Sequence, residues 1–268
     1  MKHEVLNFES APPFVNKRLV YLTKMGSIAY GCNTPTSDTD YYGVCVPPLS
    51  YLNPYGLGKS DFILGFGTQP PKFEQYQSMG VGQGNHAVVD VTVFSVIKFF
   101  ELCKNNNPNI IDALFTPDDC LEYCHPAFKH VRDNRRLFLS KLAIPKFVGY
   151  ATSQMHKMQI KTVEPGHKRY EGIQRLGYDS KYALHLIRLL CEAEQILAEG
   201  DLDLRRNAKL LKQIRSGHYS LDELHSMFTE KLEVLNSTPH DASLPDVPDE
   251  QKLKEMLLEC IHSIGEES

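Results

Sequence analysis

The sequence lacks any apolar run that approaches the roughly 18 residues needed for a membrane-spanning helix. Its first ten residues, MKHEVLNFES, contain no apolar core of the kind found in a secretion signal. Hydrophobic residues make up 42% and charged residues 23% of the 268 residues, which is typical of a globular protein. We therefore expect a cytoplasmic protein without membrane contact.

The sequence also lacks paired cysteines. The seven cysteines are scattered and form no CxxC motif. Cys120, Cys124 and His125 lie close together, but no second pair of ligands accompanies them. We expect neither a disulfide framework nor a zinc site, and metal binding at this cluster is the less favoured alternative.

Basic residues are not in excess, since 29 Lys and Arg stand against 33 Asp and Glu, for a net charge of −4. Non-specific duplex binding depends on neutralising many phosphates. The charge balance therefore excludes a general nucleic-acid-coating protein, although a local basic groove is compatible with it.

The chain changes character near its middle, because strand-like alternation in the first half gives way to helical periodicity in the second. The helix predicted over 180–199 begins at Asp179 or Ser180 and ends before Gly200. The predicted strands are 18–25, 38–46 and 87–93, and the predicted helices are 94–104, 145–160, 180–199, 220–236 and 249–263. This pattern predicts an α/β (α+β) fold, with an α/β domain over residues 1–125 and a helical domain over residues 126–268.

Residues 49–86 are rich in Gly, Pro, Tyr and Gln, and we predict a long irregular segment, a type that is usually functional or mobile. Its aromatic and basic side chains are of the kind that stack on and hold single-stranded nucleic acid. We favour the alternative that they pack the segment against its own domain. They are Tyr51, Tyr55, Lys59, Phe62, Phe66, Lys72 and Tyr76.

Asp38 and Asp40 stand two residues apart in a predicted strand, so their side chains are expected on the same face. Neighbouring carboxylates repel each other, and a cation between them relieves the repulsion. Mg²⁺ suits such a place because it prefers one or two carboxylates with substrate phosphates, and Mn²⁺ is its alternative. Asp90, a lone acid in VVDVT, would complete a site for in-line displacement at phosphorus if the two strands are neighbours. Solvated surface acids are the alternative.

Gly26 and Ser27 follow the first predicted strand. Glycine lets the backbone approach a phosphate closely, and the backbone N–H groups and the Ser27 hydroxyl can donate to phosphate oxygens. A triphosphate bound there would place its α-phosphorus near the acids, with Asp90 as metal ligand or proton acceptor. A Gly-Ser pair alone is not diagnostic, but its combination with SDTDYYGV and a later strand Asp is far more specific.

The segment GSIAYGCNTPTSDTDYYGV resembles the signature of the DNA polymerase beta nucleotidyltransferase superfamily. More narrowly, the chain is similar to the RlaP-type predicted nucleotidyltransferases, which are associated with RNA repair. That likeness covers residues 20 to about 225 and includes VTVFSVIKFFELCKNNNPNIIDALF, YDSKYALHLIRLLCEAEQIL and KLLKQIRSGHYSLDEL. It implies a nucleotidyltransferase-type mixed sheet with flanking helices and a following helical domain. The residues it implies in phosphate binding are Gly26 and Ser27, and those it implies in metal binding are Asp38, Asp40 and Asp90. Ser37, which precedes Asp38, is a further candidate for nucleotide binding.

One predicted helix of the second half carries basic residues at i, i+4 and i+7, namely Lys181, His185 and Arg188. Lys181 lies in the first turn, where a helix favours anions. By the likeness, it matches the helical-domain lysine that holds the β- and γ-phosphates in related nucleotidyltransferases. Tyr178, just before the helix, is a candidate for contact with the base or ribose. The alternatives are a solvated face in which Arg188 pairs with Glu192, and a Tyr178 that packs as a hydrophobic staple.

We therefore expect a magnesium-dependent nucleotidyltransferase that transfers a nucleotidyl group from a nucleoside triphosphate to an acceptor hydroxyl. An RNA end is the first acceptor to consider, because the resembled family is associated with RNA repair. A protein hydroxyl, as in AMPylating enzymes, and a small molecule come next. A non-catalytic nucleotide- or RNA-binding module is the main alternative, and a regulatory protein whose cleft a partner chain fills is the third. The sequence indicates neither the preferred triphosphate nor the oligomeric state.

Overall fold

The fold is built on a five-stranded mixed sheet in the first half of the chain, as seen in a computed structural model. The structure describes residues 10–35, 37–52, 73–81, 89–160, 163–167, 169–237 and 244–265. The strands are β1 (Leu19–Met25), β2 (Thr39–Cys45), β3 (Gln75–Val81), β4 (Val89–Ser95) and β5 (Leu121–Cys124). Their order is β3-β4-β2-β1-β5, in which β2 and β4 are parallel and the other neighbours are antiparallel.

Helices flank the sheet and dominate the second half of the chain. In the first half they are α1 (Pro13–Lys17), α2 (Leu49–Leu52), α3 (Val96–Lys104) and α4 (Pro108–Leu114). In the second half they are α5 (Pro126–Asp133), α6 (Ala143–Ile160), α7 (Tyr170–Leu176), α8 (Ser180–Glu199), α9 (Ala208–Ser216), α10 (Leu221–Ser237) and α11 (Glu250–Gly265).

The sheet is covered on both faces, because successive side chains alternate between two apolar clusters. On β2, Tyr41 and Cys45 belong to the smaller cluster and Val44 belongs to the larger one beneath the helices. β4 alternates in the same way, with Val93 in the smaller cluster and Phe94 in the larger one. The even-numbered residues of both strands therefore face the helical side.

Helix α8 lies at the centre of the second half, against α6, α9 and α10. Its start is capped by Asp179, whose Oδ1 accepts from the Lys181 backbone N–H at 3.0 Å, and it ends at Gly200 in the left-handed region with φ +59°. Because helices pack around it on several sides, α8 buries positions that an isolated amphipathic helix would expose.

The structure confirms the mixed α/β fold class, and it confirms the predicted strands and helices to within two residues at each end. The prediction of an irregular segment over 49–86 was wrong in part, because α2 and β3 lie within it. Five residues of that segment fall outside the described part of the chain, and they are Tyr55, Lys59, Phe62, Phe66 and Lys72.

One apolar cluster includes residues from both predicted domains, and α11 packs back against α3 and α5. The division into residues 1–125 and 126–268 stays a prediction. Within the described ranges, no helix combines the length and the apolar character that crossing a membrane requires.

Candidate active site

Asp40 and Asp90 occupy directly paired positions on the parallel strands β2 and β4. The next pair along the same face of these two strands is Tyr42 with Thr92. Neighbouring strands lie about 4.8 Å apart, and both acids project to the helical side of the sheet. All four residues line a cavity of about 240 Å³. The strand of Asp90 is therefore a neighbour of the strand of Asp40, as the predicted site requires.

Gly26 borders the same cavity at the end of β1. Met25 pairs with Asp40, so the chain turns at Gly26 beside that carboxylate. Gly26 has φ +63°, a conformation that L side chains rarely adopt, and a β-carbon built on it would lie 2.4 Å from Asp40 Oδ2. The turn is closed by the Tyr30 N–H, which donates to the Gly26 carbonyl at 3.2 Å. A side chain at Gly26 would therefore displace Asp40.

Ser27, Ser37 and Asp38 are half-buried and are not among the residues that line this cavity. Ser37 Oγ accepts from the Thr34 N–H at 2.8 Å and from Arg215 at 3.2 Å, which fixes the loop before β2. Asp38 follows in that loop, one residue before the strand. In the part of the chain that the structure describes, no group of three or more His, Cys, Asp or Glu side chains is placed to hold a metal ion. The three-carboxylate site stays a prediction.

His185 lies between the cavity that contains Asp40 and Asp90, here called the acid cavity, and a larger groove. Together with Asn109 it lines both the 240 Å³ cavity and a second cavity of about 720 Å³. Burial lowers the pKa of His185 to about 3, and the charges of Arg188, Lys181 and Arg215 act in the same direction. The imidazole is therefore neutral at pH 7, and an anion bound beside it would raise its pKa.

Lys181 lines the larger groove, and its side chain is exposed in the first turn of α8. Arg169 lines the groove as well, but its guanidinium forms an ion pair with the buried Asp179 and lies 5.6 Å from the centre of the Tyr182 ring. Arg169 thereby supports the start of α8, whereas Lys181 directs a charge into the groove.

Arg188 lines the same groove but is only 3% exposed, so it does not lie on a solvated face, and its part in nucleotide binding stays a prediction. Its guanidinium contacts Asp112 of α4 and bonds to Glu192 at 2.8 Å, and both carboxyls are buried. The same guanidinium lies 4.4 Å from the centre of the Tyr30 ring, and the Tyr30 hydroxyl donates to Asp112 at 2.8 Å. Arg188 is thus engaged by protein groups that join the glycine turn to α8.

Two buried carboxyls share this single guanidinium. Burial raises the pKa of Asp112 and raises that of Glu192 well above its ordinary value, while the charge of Arg188 opposes both rises. Loss of the arginine charge would leave two acids in an apolar core without a counterion.

Tyr178 belongs to the larger apolar cluster. Tyr178 is 1% exposed, and its hydroxyl donates to the Tyr219 carbonyl at 2.6 Å. This burial agrees with the packing alternative, while contact of Tyr178 with a base or ribose stays a prediction.

Sequence reasoning missed two further arginines, which form hydrogen bonds to the backbone of the segment between Gly26 and Asp38. Arg205 lies 3.5 Å from the Ile28 carbonyl, and Arg215 donates to the Cys32 carbonyl at 3.2 Å. These contacts join residues more than 170 positions apart, so no local pattern could reveal them. The helical half therefore holds the glycine turn and the loop before β2 in place.

The remaining candidates have structural roles where they are described. The Tyr51 ring lies 5.1 Å from that of Phe14, and the Tyr76 hydroxyl bonds to Ser10 at 2.7 Å. His125 caps α5, because its Nδ1 accepts from the Ala127 N–H at 3.2 Å. These contacts agree with the packing alternative for the two tyrosines.

The profile of RlaP, described as the RNA repair pathway DNA polymerase beta family, matches residues 1–256. The chain belongs to the RlaP family. Its members fall within the nucleotidyltransferases of the DNA polymerase beta superfamily, in agreement with the likeness seen in the sequence.

Individual relatives are more distant. An uncharacterized 38.9 kDa protein from the nrdC-mobD intergenic region of Enterobacteria phage T4 is 24% identical over 150 residues. The match covers 54% of this chain and 40% of the phage protein, so this chain spans less than half of that relative. A nucleotidyltransferase-like protein from Exiguobacterium sibiricum 255-15 matches 93% of this chain and 69% of its own, at 10% identity and a TM-score of 0.29. A likeness at that TM-score carries no structural argument.

Proposed function

We propose that this RlaP-family protein transfers a nucleotidyl group from a nucleoside triphosphate to an acceptor hydroxyl, with Mg²⁺ or Mn²⁺ as cofactor. The observation that carries the proposal is the register pairing of Asp40 with Asp90 beside the Gly26 turn. Family membership supports the reaction class.

The paired acids fit a divalent cation. Two carboxylates that face one cavity from adjacent strands repel each other, and a cation held by both offsets the repulsion. Mg²⁺ prefers such carboxylates together with phosphate oxygens. Asp40 and Asp90 would hold it, and Asp38 is proposed as a further ligand because it precedes Asp40 by two residues. When bound, the cation would stabilise negative charge on the phosphoryl group.

The triphosphate is proposed to extend from the Gly26 turn toward α8. The turn allows the α-phosphate to approach the backbone next to Asp40. His185 lies where the acid cavity meets the larger groove, and Lys181 lies farther into that groove. The β- and γ-phosphates would therefore pass the His185 imidazole and reach the Lys181 ammonium group.

In the proposed reaction, the acceptor oxygen forms a bond to the α-phosphorus, and the bond from that phosphorus to the bridging oxygen of the β-phosphate breaks. Pyrophosphate leaves toward Lys181, and the proton of the attacking hydroxyl passes to Asp90. Asp90 suits this role because it lies on the β3 side of Asp40, farther from the glycine turn. An RNA hydroxyl is the proposed acceptor, since the family description names an RNA repair pathway.

The test is a transfer assay with each α-labelled ribonucleoside triphosphate, Mg²⁺ or Mn²⁺, and a short RNA. We expect labelled RNA and an equal amount of pyrophosphate. Label on the protein in reactions without RNA would instead identify a protein hydroxyl as the acceptor. If triphosphate and Mg²⁺ raise the melting temperature but neither product forms, the non-catalytic nucleotide-binding alternative replaces this proposal.

Gly26→Ala is expected to lower transfer by about 10²-fold, the scale of losing one preorganised electrostatic contact. The added methyl group would collide with Asp40 Oδ2, and the left-handed backbone costs about 1–2 kcal/mol for a non-glycine residue. Gly177→Ala is the matched control, since Gly177 shares the left-handed backbone, with φ +76°, but a β-carbon there meets no atom within 4 Å. Transfer rates and melting temperatures are measured for both, and unchanged transfer by Gly26→Ala would contradict the close approach at Asp40.

A further inference from the structure

The groove of about 720 Å³ has two walls with different polar groups. One wall is α8, with Lys181 and His185, which the proposed function uses for the donor. The other wall is α6, and its lining residues recur at helical spacing along one face. They are Pro145, Lys146, Gly149, Tyr150, Ser153, Gln154 and Lys157.

The α6 wall is cationic and partly aromatic. Lys146 and Lys157 are exposed, and Tyr150 is 37% exposed between them. Asn107 donates to the Tyr150 hydroxyl at 3.0 Å, which restricts the ring. None of the described residues that line the groove is Asp or Glu, so the lysine charges are not offset within the lining.

The α6 wall is long enough to contact more than one phosphate. Lys146 and Lys157 are eleven residues apart on α6, which corresponds to about 16 Å along a helix that rises ~1.5 Å per residue. A stripe of that length can contact successive phosphates of a polynucleotide. A charged groove that tracks a backbone, with an aromatic ring on which a base can stack, is the usual arrangement for single-stranded nucleic acid.

The groove also leads to the reacting groups. Asn109 and His185 line it and line the cavity that contains Asp40 and Asp90. A chain bound along α6 can therefore direct its terminal hydroxyl toward Asp90, while the donor phosphates contact α8.

We propose that the α6 wall, formed by Lys146, Tyr150 and Lys157, binds the acceptor as a single-stranded polynucleotide. This inference rests on the proposed function, because it assigns the acceptor to that same site. RNA and single-stranded DNA share the recognised chemistry, phosphodiester charges and base rings, and the experiment distinguishes them.

The experiment measures binding of a fluorescent single-stranded RNA and of the same-sequence DNA by anisotropy over a range of salt concentrations. Lys146→Gln with Lys157→Gln is expected to weaken binding at least about tenfold near 0.1 M salt, and to lower the salt slope by about 1.4, since each phosphate contact contributes roughly 0.7 for a single strand. Tyr150→Ala is expected to weaken binding about fivefold or more, with less change in slope. Tighter binding of RNA than of DNA would identify RNA as the acceptor.

The matched control is Lys209→Gln with Lys254→Gln, which removes the same charge from exposed lysines outside the groove. It should bind the oligonucleotides as the unaltered protein does. The melting-temperature shift with triphosphate and Mg²⁺ should be retained in all variants, which separates acceptor binding from the proposed donor site. Equal binding by the groove and control variants would overturn the assignment, as would absence of binding to either oligonucleotide while the triphosphate shift persists.

Discussion

Asp40→Asn and Asp90→Asn should each lower nucleotidyl transfer by about 10³-fold or more while leaving the protein folded. Both acids line one cavity from paired strand positions, so each asparagine would remove a negative charge from the site that the cation is proposed to occupy. Losses of this size are typical where preorganised electrostatics supply the rate enhancement. Asparagine is nearly isosteric with aspartate, so the packing should be kept. Because the repulsion between the acids is removed, the melting temperature should stay the same or rise slightly.

The measurement is the initial rate of label transfer to RNA, together with the melting temperature of each variant. Asp222→Asn, on the exposed start of α10, is the charge-matched control and should transfer at the normal rate. Asp38→Asn tests the further ligand separately, since Asp38 does not line the cavity. A normal rate for Asp38→Asn would remove it from the proposed ligand set. A normal rate for the double variant of Asp40 and Asp90 would refute the catalytic proposal.

The parts of the fold that the sequence predicted well are those with strong local signals. The helix over 180–199 has a capping aspartate and a terminal glycine, and the structure places both ends where those signals lie. β1 and β2 are runs of mostly buried residues and were equally clear. β3 was missed because QYQSMGV is an edge strand with exposed Gln75, Gln77 and Met79, so it lacks the apolar alternation that identifies a strand.

In the candidate site, too, the sequence predicts what has a local signal and misses what depends on distant contacts. Pairing of Asp40 with Asp90 could be anticipated because a lone acid in an apolar strand needs a reason, and the structure brings the two together. The same signal was present in NIIDALF, where Asp112 sits among buried residues, and it could have pointed to a buried partner. What periodicity could not show is that Arg188 faces that acid, because α8 is enclosed by other helices and the contact spans 76 residues.

Arg188→Met should be the most destabilising of the substitutions considered, with a loss of about 3–5 kcal/mol in the free energy of unfolding. Methionine can fill much of the volume but leaves Asp112 and Glu192 buried without the guanidinium that contacts both. For a chain of this size the loss corresponds to a melting temperature lower by roughly 10 °C. Lys181→Met, on the same helix and with the same charge change, removes an exposed side chain and should stay within about 0.5 kcal/mol.

The pH dependence of this deficit tests its cause. Burial already raises the pKa of Asp112 and Glu192, and without Arg188 both should rise further. A carboxyl whose folded-state pKa is raised binds more protons in the folded than in the unfolded state, so the folded protein loses stability as pH rises from the unfolded pKa toward the folded one. The deficit of Arg188→Met relative to the unaltered protein should therefore be smaller near pH 5 than near pH 8, as measured by denaturant unfolding at both values.

Adding Glu192→Gln to Arg188→Met should recover part of the loss at pH 8, because it removes one of the two uncompensated charges. A deficit that is equal at both pH values and is not reduced by Glu192→Gln would mean that Arg188 stabilises the protein through packing against Tyr30 rather than as the counterion of the two acids.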